Sequence, residues 1–154
     1  MNLLDHFILQ HCQISLLHGE LLRISREGAM QDAKVEMNLA PRLVEMDSGD
    51  KLPSYQVSAR LNCIGGAKEN SEPAFSAKVG LETVYQQTSG DPIDISEFTS
   101  HHASLSRQIY PLLAHELRGL LTRMGLLNIQ LPFDLDPGSK KITVSPDRAP
   151  ERVH

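Results

Sequence analysis

Seven histidines, two cysteines and 19 carboxylates could in principle hold a metal ion or move protons. Their spacing decides whether any of that chemistry assembles. His115-Glu116 opens the zinc-protease pattern H-E-x-x-H, but position 119 is Gly119, so the second ligand one helical turn along is missing. His101 and His102 are adjacent, and on a helix they diverge by about 100°, which keeps them from sharing one ion. Cys12 and Cys63 lie in separate apolar runs with no C-x-x-C partner. Gly65-Gly66 lacks the Lys-Ser/Thr of a phosphate loop and reads as a turn. Asp134 and Asp136 share a loop with no base or ligand cluster beside them, and no G-x-S-x-G elbow is present. No nucleophile, base and orienting group fall together, so the expectation is a protein that is not an enzyme and uses no metal or cofactor. The enzyme reading that remains is a metal-dependent one through His101, His102 and His115.

The elements that would have to position such groups are clearer than the groups themselves. Tyr110 to Met124 reads as a helix, with Leu112, Leu113, Leu117, Leu120, Leu121 and Met124 recurring at three- and four-residue steps on one face. Pro111 suits a first turn and Gly125 a position just past the end. Asp94 and Ser96, with Glu97 in the first turn, start a shorter helix that runs to about Arg107 and leads into the main one. Upstream, Ala33, Val35, Met37 and Leu39 alternate with Lys34, Glu36 and Asn38. Pro41, before Leu43-Val44, marks an edge position or a bulge. Tyr55 to Cys63 and Phe75 to Tyr85 alternate in the same way, which makes an antiparallel meander for the leucine helix to cover. Residues 7–17 form a first strand with Ile8, Cys12, Ile14 and Leu16 on one face, although Phe7 and Leu9 break the alternation. From there to Asp32 the chain reads as a long crossover or an irregular edge.

Composition narrows the function classes. The chain has 154 residues, 40% of them hydrophobic and 22% charged, an ordinary balance for one globular domain. Residues 1–136 carry 11 Lys and Arg against 17 Asp and Glu, and residues 137–154 carry 4 against 2. An acidic body argues against nucleic acid as the main partner. MNLLDHFILQHC lacks a basic leader, and no run of about eighteen apolar residues occurs, so neither a signal peptide nor membrane insertion is expected. Both cysteines are expected to be buried free thiols in a reducing compartment, the cytoplasm. The chain divides into a domain over 1–136 and a Pro-rich basic tail over 137–154, most of it expected to be mobile. Apolar residues outside regular elements, Leu17, Leu21, Leu22 and Ile24 in the crossover and Leu126, Leu127, Ile129, Leu131 and Phe133 after the helix, exceed what one small sheet and helix would bury.

The order of these elements, with the strings FILQHCQIS, VEMNL, YQVSARLNC, AFSAKVGLE and IYPLLAHELRGLLTRMGLLNIQLPFDLD, resembles the SecB family of protein-export chaperones over residues 7–136. In the last string Tyr110, Pro111, Ala114 and Glu116 are similar, with one residue more after the proline, to the family's aromatic-Pro-x-A-x-E helix, Arg123 and Gly125 to its turn, and Pro132-Phe133-Asp134 to a shortened form of its Pro-Val-Asn-Phe-Asp ending. The resemblance implies an α+β fold: a four-stranded antiparallel sheet, a long crossover after the first strand, and a long C-terminal helix packed on one face. It also implies an ATP-independent chaperone for unfolded polypeptides, assembled as a homo-oligomeric dimer of dimers and acting in protein export. Leu17, Leu21, Leu22, Leu43, Leu127, Ile129, Leu131 and Phe133 would then line the client grooves. Phe75, Ala77, Val79, Leu81, Leu113 and Leu120 would form the subunit interface.

Two departures point to a more specialised member. Lys78 stands where the family's docking face for the SecA motor carries an acidic residue, which weakens the case for SecA as a partner. The family's last helix is also replaced by the basic tail. Some SecB-like proteins serve one aggregation-prone antitoxin, and that is the alternative the sequence supports, beside an oligomeric adaptor for a folded partner.

Overall fold

Alternating apolar residues put the middle of the sheet where the pattern is strictest. The computed structural model describes residues 5–22, 24, 33–44, 52–65, 73–126, 129–132 and 142–144. Its strands are β1 (Phe7–Leu21), β2 (Ala33–Leu43), β3 (Ser54–Gly65), β4 (Phe75–Gln87) and β5 (Ile142–Val144), and its helices are α1 (Ile95–Ser100) and α2 (His102–Arg123). All strand pairs are antiparallel, in the order β1-β4-β3-β2-β5. The chain leaves β1 at one edge and re-enters the sheet at β2, with β4 and β3 between them, so the expected crossover is found. β5 adds a short fifth strand to the four expected, because Ile142–Val144 of the basic tail pairs with Ala33–Val35.

The helices cover one face of the sheet. Val35, Met37, Tyr55, Val57, Ala59, Leu61, Cys63, Phe75, Ala77, Val79, Leu81 and Tyr85 are buried there against Leu105, Ile109, Leu113, Leu117 and Leu121 of α2. Asp94 caps α1 by accepting a hydrogen bond from the Glu97 N–H at 2.8 Å, as the sequence led one to expect. Phe98 stacks on Tyr55 at 4.3 Å and also meets Phe7 and Tyr85, which fixes α1 over the end of the sheet.

Three boundaries differ from the sequence reading. First, α2 starts at His102 and not near Tyr110, so Pro111 lies inside the helix. A proline has no N–H, and the Arg107 carbonyl therefore loses its usual helical donor. The run from Leu105 is apolar enough to carry the helix through that defect. Second, Leu112, placed on the buried stripe by periodicity, is exposed, while Leu105, Ile109 and Tyr110 are buried. Third, β1 runs on to Leu21 with register shifts between Leu9 and His11 and between Ile14 and Leu16. Each bulge adds a residue and reverses the parity of the strand. Phe7, Leu9, Cys12, Ile14, Leu17 and Leu21 therefore share the helix side, whereas Ile8 and Leu16 turn to the open side.

The helix ends as Gly125 suggested. Its φ is +80°, a left-handed conformation that costs glycine little. The Leu126 N–H bonds the Leu121 carbonyl and the Gly125 N–H bonds the Thr122 carbonyl, which closes the C-terminus in a Schellman motif.

Candidate functional site

β1 is an edge strand, and what is unusual is its length and bareness. It runs 15 residues with one side unpaired among the described residues. No lysine, arginine or proline lies on it to blunt that edge. On its helix side Ile14, Leu17 and Leu21 are 50%, 48% and 47% exposed. The next residue, Leu22, is equally open, and its N–H bonds the Ala74 carbonyl just past the strand end. Covering a half-exposed leucine fully would contribute about 1 kcal/mol, half the usual value for a buried aliphatic side chain.

α2 approaches β1 at two places along this row. Glu116 sits close enough to Cys12 for its charge to act on the thiol, and a Cβ added at Gly19 would stand 2.7 Å from the Met124 sulfur and 3.1 Å from a Leu120 methyl. Gly19 therefore lets the helix end approach the strand. Partial burial, and after it the Glu116 carboxylate, pushes the Cys12 thiol above its ordinary range. Cys12 is exposed, contrary to the buried thiol expected; Cys63 is buried, and burial pushes its thiol up to about 12. Half-exposed Leu120 and Met124 stand beside β1 at Gly19, and Leu112 is exposed on the same helix.

The residues expected to line client grooves separate into three groups. Leu17 and Leu21 share the helix side of β1, and exposed Leu22 follows just past the strand end. Leu43, 52% exposed, lies at the far end of β2 near the opposite edge, roughly 35 Å away by strand geometry. Ile129 is only 8% exposed and belongs to the core, with Leu131 packed against it. The Tyr110 hydroxyl donates to the Pro132 carbonyl at 2.5 Å, which draws the segment after the helix back onto α2. Burial against that helix is why Ile129 cannot serve as an open groove wall. Leu127 and Phe133 lie outside the described residues, as do Asp134 and Asp136.

The expected subunit interface needs correcting in a similar way. Phe75, Ala77, Val79, Leu81 and Leu113 are at most 2% exposed within a single chain, since β4 is an inner strand and α2 covers it. They have no surface left for a second copy. Leu120 does, and Ile8, Ile14, Ile64 and Leu112 are exposed where periodicity gave no warning. A period of two tells which residues share a face; it does not tell which strand lacks a neighbour.

The open face of the sheet is polar and of mixed charge. Lys34, Arg42, Arg60 and Lys78 share it with Glu20, Glu36 and Glu82. Burial pushes the Glu82 carboxyl up, but hydrogen bonds from Ser58, Gln56 and Ser15, with the nearby Arg60 guanidinium, outweigh it and leave the carboxyl below the usual range. Its Ser58 and Gln56 bonds are 2.5 and 2.7 Å. That carboxylate is thus engaged within the chain, and the face offers no concentrated acidic surface.

Among the described residues, no group of three or more His, Cys, Asp and Glu could hold a metal ion. His102 and His115 lie about 20 Å apart along α2. No helix among them is long and apolar enough to cross a membrane.

A four-stranded antiparallel ladder with a long helix across one face and a crossover from one edge to the other is a SecB-like α+β fold. The structure is similar to that of a SecB-like chaperone of Mycobacterium tuberculosis in complex with a ChAD peptide from an antitoxin. The TM-score is 0.67 at 14% identity, over 84% of this chain and 92% of that one. No protein-family model matches the sequence, and no curated protein matches it. At this identity the likeness is one of fold.

Proposed function

We propose that the protein is a SecB-like chaperone that holds non-native polypeptide, with no nucleotide or cofactor in its cycle. The observation that carries this reading is half-exposed Leu17, Leu21 and Leu22 on and beyond a bare sheet edge. Apolar side chains beside free main-chain donors and acceptors suit an extended chain of many sequences, since strand addition supplies affinity without reading side chains. The acidic body keeps such a surface soluble. A client reaching from Leu21 to Leu43 would need about eleven extended residues.

One dedicated client, such as an antitoxin, fits better than general export. The M. tuberculosis structure holds an antitoxin peptide. On this chain Lys78 and the engaged Glu82 leave little for a motor that docks on acidic residues. The free thiols suit a cytoplasmic setting.

Aggregation assays test the reading. The protein at stoichiometric ratios should suppress aggregation of an unfolded client, and Leu17→Asp/Leu21→Asp should weaken that by about tenfold or more while the fold is kept, two buried apolar anchors being lost. Activity on several unrelated unfolded proteins would favour the general holdase, and activity on one co-purifying client the dedicated one. No suppression of any client, with a folded partner co-purifying, would leave the adaptor.

A further inference from the structure

Just before β1 the chain borders a cavity that strand addition alone does not use. It has a volume of about 320 Å³ and lies between His6, the loop from Ser89 to Ile93 and Glu97 of α1. Hydrogen bonds hold that loop in shape. The Gln87 amide donates to the Ser89 and Asp91 carbonyls and accepts from the Ile93 N–H, and His6 Nδ1 lies 2.9 Å from the Ser89 hydroxyl. A cavity so fixed loses little conformational freedom when a ligand enters. Its charge is one-sided: Asp91 and Glu97 line it, Asp5 adjoins His6, and Asp94 caps α1. No lysine or arginine occurs in residues 1–22 or 79–106, and none of these four carboxylates has an ion-pair partner among the described residues. The field reaches into the fold, because after burial the Asp94 and Glu97 carboxylates push the Tyr55 hydroxyl above its ordinary range.

The cavity therefore calls for a positive charge, and Pro92 and Ile93 add an apolar wall. A lysine or arginine side chain matches both, with its apolar stem and cationic head. We propose that the cavity is a specificity pocket for one such side chain of the bound polypeptide; the inference rests on the chaperone reading above. Position supports the occupant. β1 starts at Phe7, so a strand added along its bare edge and continued past that residue meets His6, which lines the cavity. Leu17 stands eleven residues from His6, roughly 36 Å of strand. The exposed leucines then bind without reading sequence, while the pocket selects clients that carry a basic residue that far along the chain.

The test uses the full-length chain and labelled peptides about fourteen residues long, with leucines at alternate positions and serines between them. One terminal residue is arginine in one peptide and citrulline, its uncharged isostere, in the other; placing it at either end covers both strand directions. Fluorescence anisotropy reads the affinities. The expected result is about three- to tenfold tighter binding of the arginine peptide at low salt, a preference that shrinks as salt rises. Asp91→Asn/Glu97→Gln should erase the preference and leave the citrulline peptide's affinity unchanged. Glu69→Gln/Glu72→Gln, in the β3–β4 connection, removes the same charge elsewhere and should keep it. No preference in the unaltered protein would overturn the pocket and leave the chaperone reading intact. A preference lost equally in both variants would also overturn it, since the net charge of the chain would then be the cause. No binding of either peptide by any of the three proteins would sink the chaperone reading, and the pocket with it.

Discussion

β1 and β4 are neighbours of similar length paired along nearly their whole extent, yet from Ile14 onward the helix-face side chains of β1 fare differently from those of β4. On β4 every such residue from Phe75 to Gln87 is buried, polar Thr83 and Gln87 included. Thr83 donates to the Val57 carbonyl, and Gln87 donates to the Ser89 and Asp91 carbonyls while accepting from the Ile93 N–H. Those bonds allow two polar groups into the core at little cost. On β1, Ile14, Leu17 and Leu21 stay half open. Hydrophobicity does not separate the two strands; position does. β4 has strands on both sides and α2 above it, whereas β1 has one neighbour and only the C-terminal part of the helix. Apolar surface at such a place is available for another polypeptide.

Thiol chemistry gives the largest expected contrast. Cys63, buried on β3, should react with iodoacetamide only through unfolding, at least about a thousandfold slower than Cys12 on β1. The Cys12 rate should climb with pH through the alkaline range, since its thiol is held above the ordinary value. Mass spectrometry of native protein after a timed pulse would show this, and equal labelling of both thiols would erase the distinction.

Truncation of leucines comes next. Leu117→Ala, at a fully buried site under α2, should lower unfolding free energy by about 2–5 kcal/mol in urea titrations. Leu17→Ala on β1 should cost under about 1 kcal/mol. Comparable losses would mean that the row on β1 is part of the core.

Gly125→Ala forces a β-carbon into a left-handed conformation at the end of α2 and should cost about 1–2 kcal/mol in the same assay. A Cβ there meets no atom within 4 Å, so any loss reports backbone strain alone.

The smallest effect is expected on the open face. The folded Glu82 carboxyl titrates below its unfolded value, so it adds stability that is present above the ordinary carboxylate range and is lost as pH falls through the folded value. Glu82→Gln should flatten the acid limb of a stability–pH profile as pH falls below the ordinary carboxylate range, by a small amount because solvent screens a partly exposed group. An unaltered acid limb would remove Glu82 from the account.

Much of the scaffold could be read from residue types. β3 and β4 carry an uninterrupted period of two, and Asp94 and Gly125 mark the ends of their helices by local chemistry. In β1 two bulges change the period, and neither Gln10 nor Ser15 advertises a bulge. The start of α2 is hidden because Pro111 is normally a first-turn residue and here is tolerated inside. The candidate site was harder still. Leu17, Leu21 and Ile129 are similar side chains in similarly apolar runs, and only the path of the chain after Gly125, tied down by Tyr110, makes the last of them core.

The sequence by itself determined the local alphabet of this protein: which segments are strands or helices, which cap ends which element, and that no catalytic constellation is spelled out. Those properties depend on neighbours within a few residues, through backbone sterics and hydrogen bonding. Tertiary structure decided which strand was left at an edge, which leucines stayed in water, and that a short run in the basic tail joins β2. Exposure and strand order depend on residues far apart in the chain, and no local period encodes them.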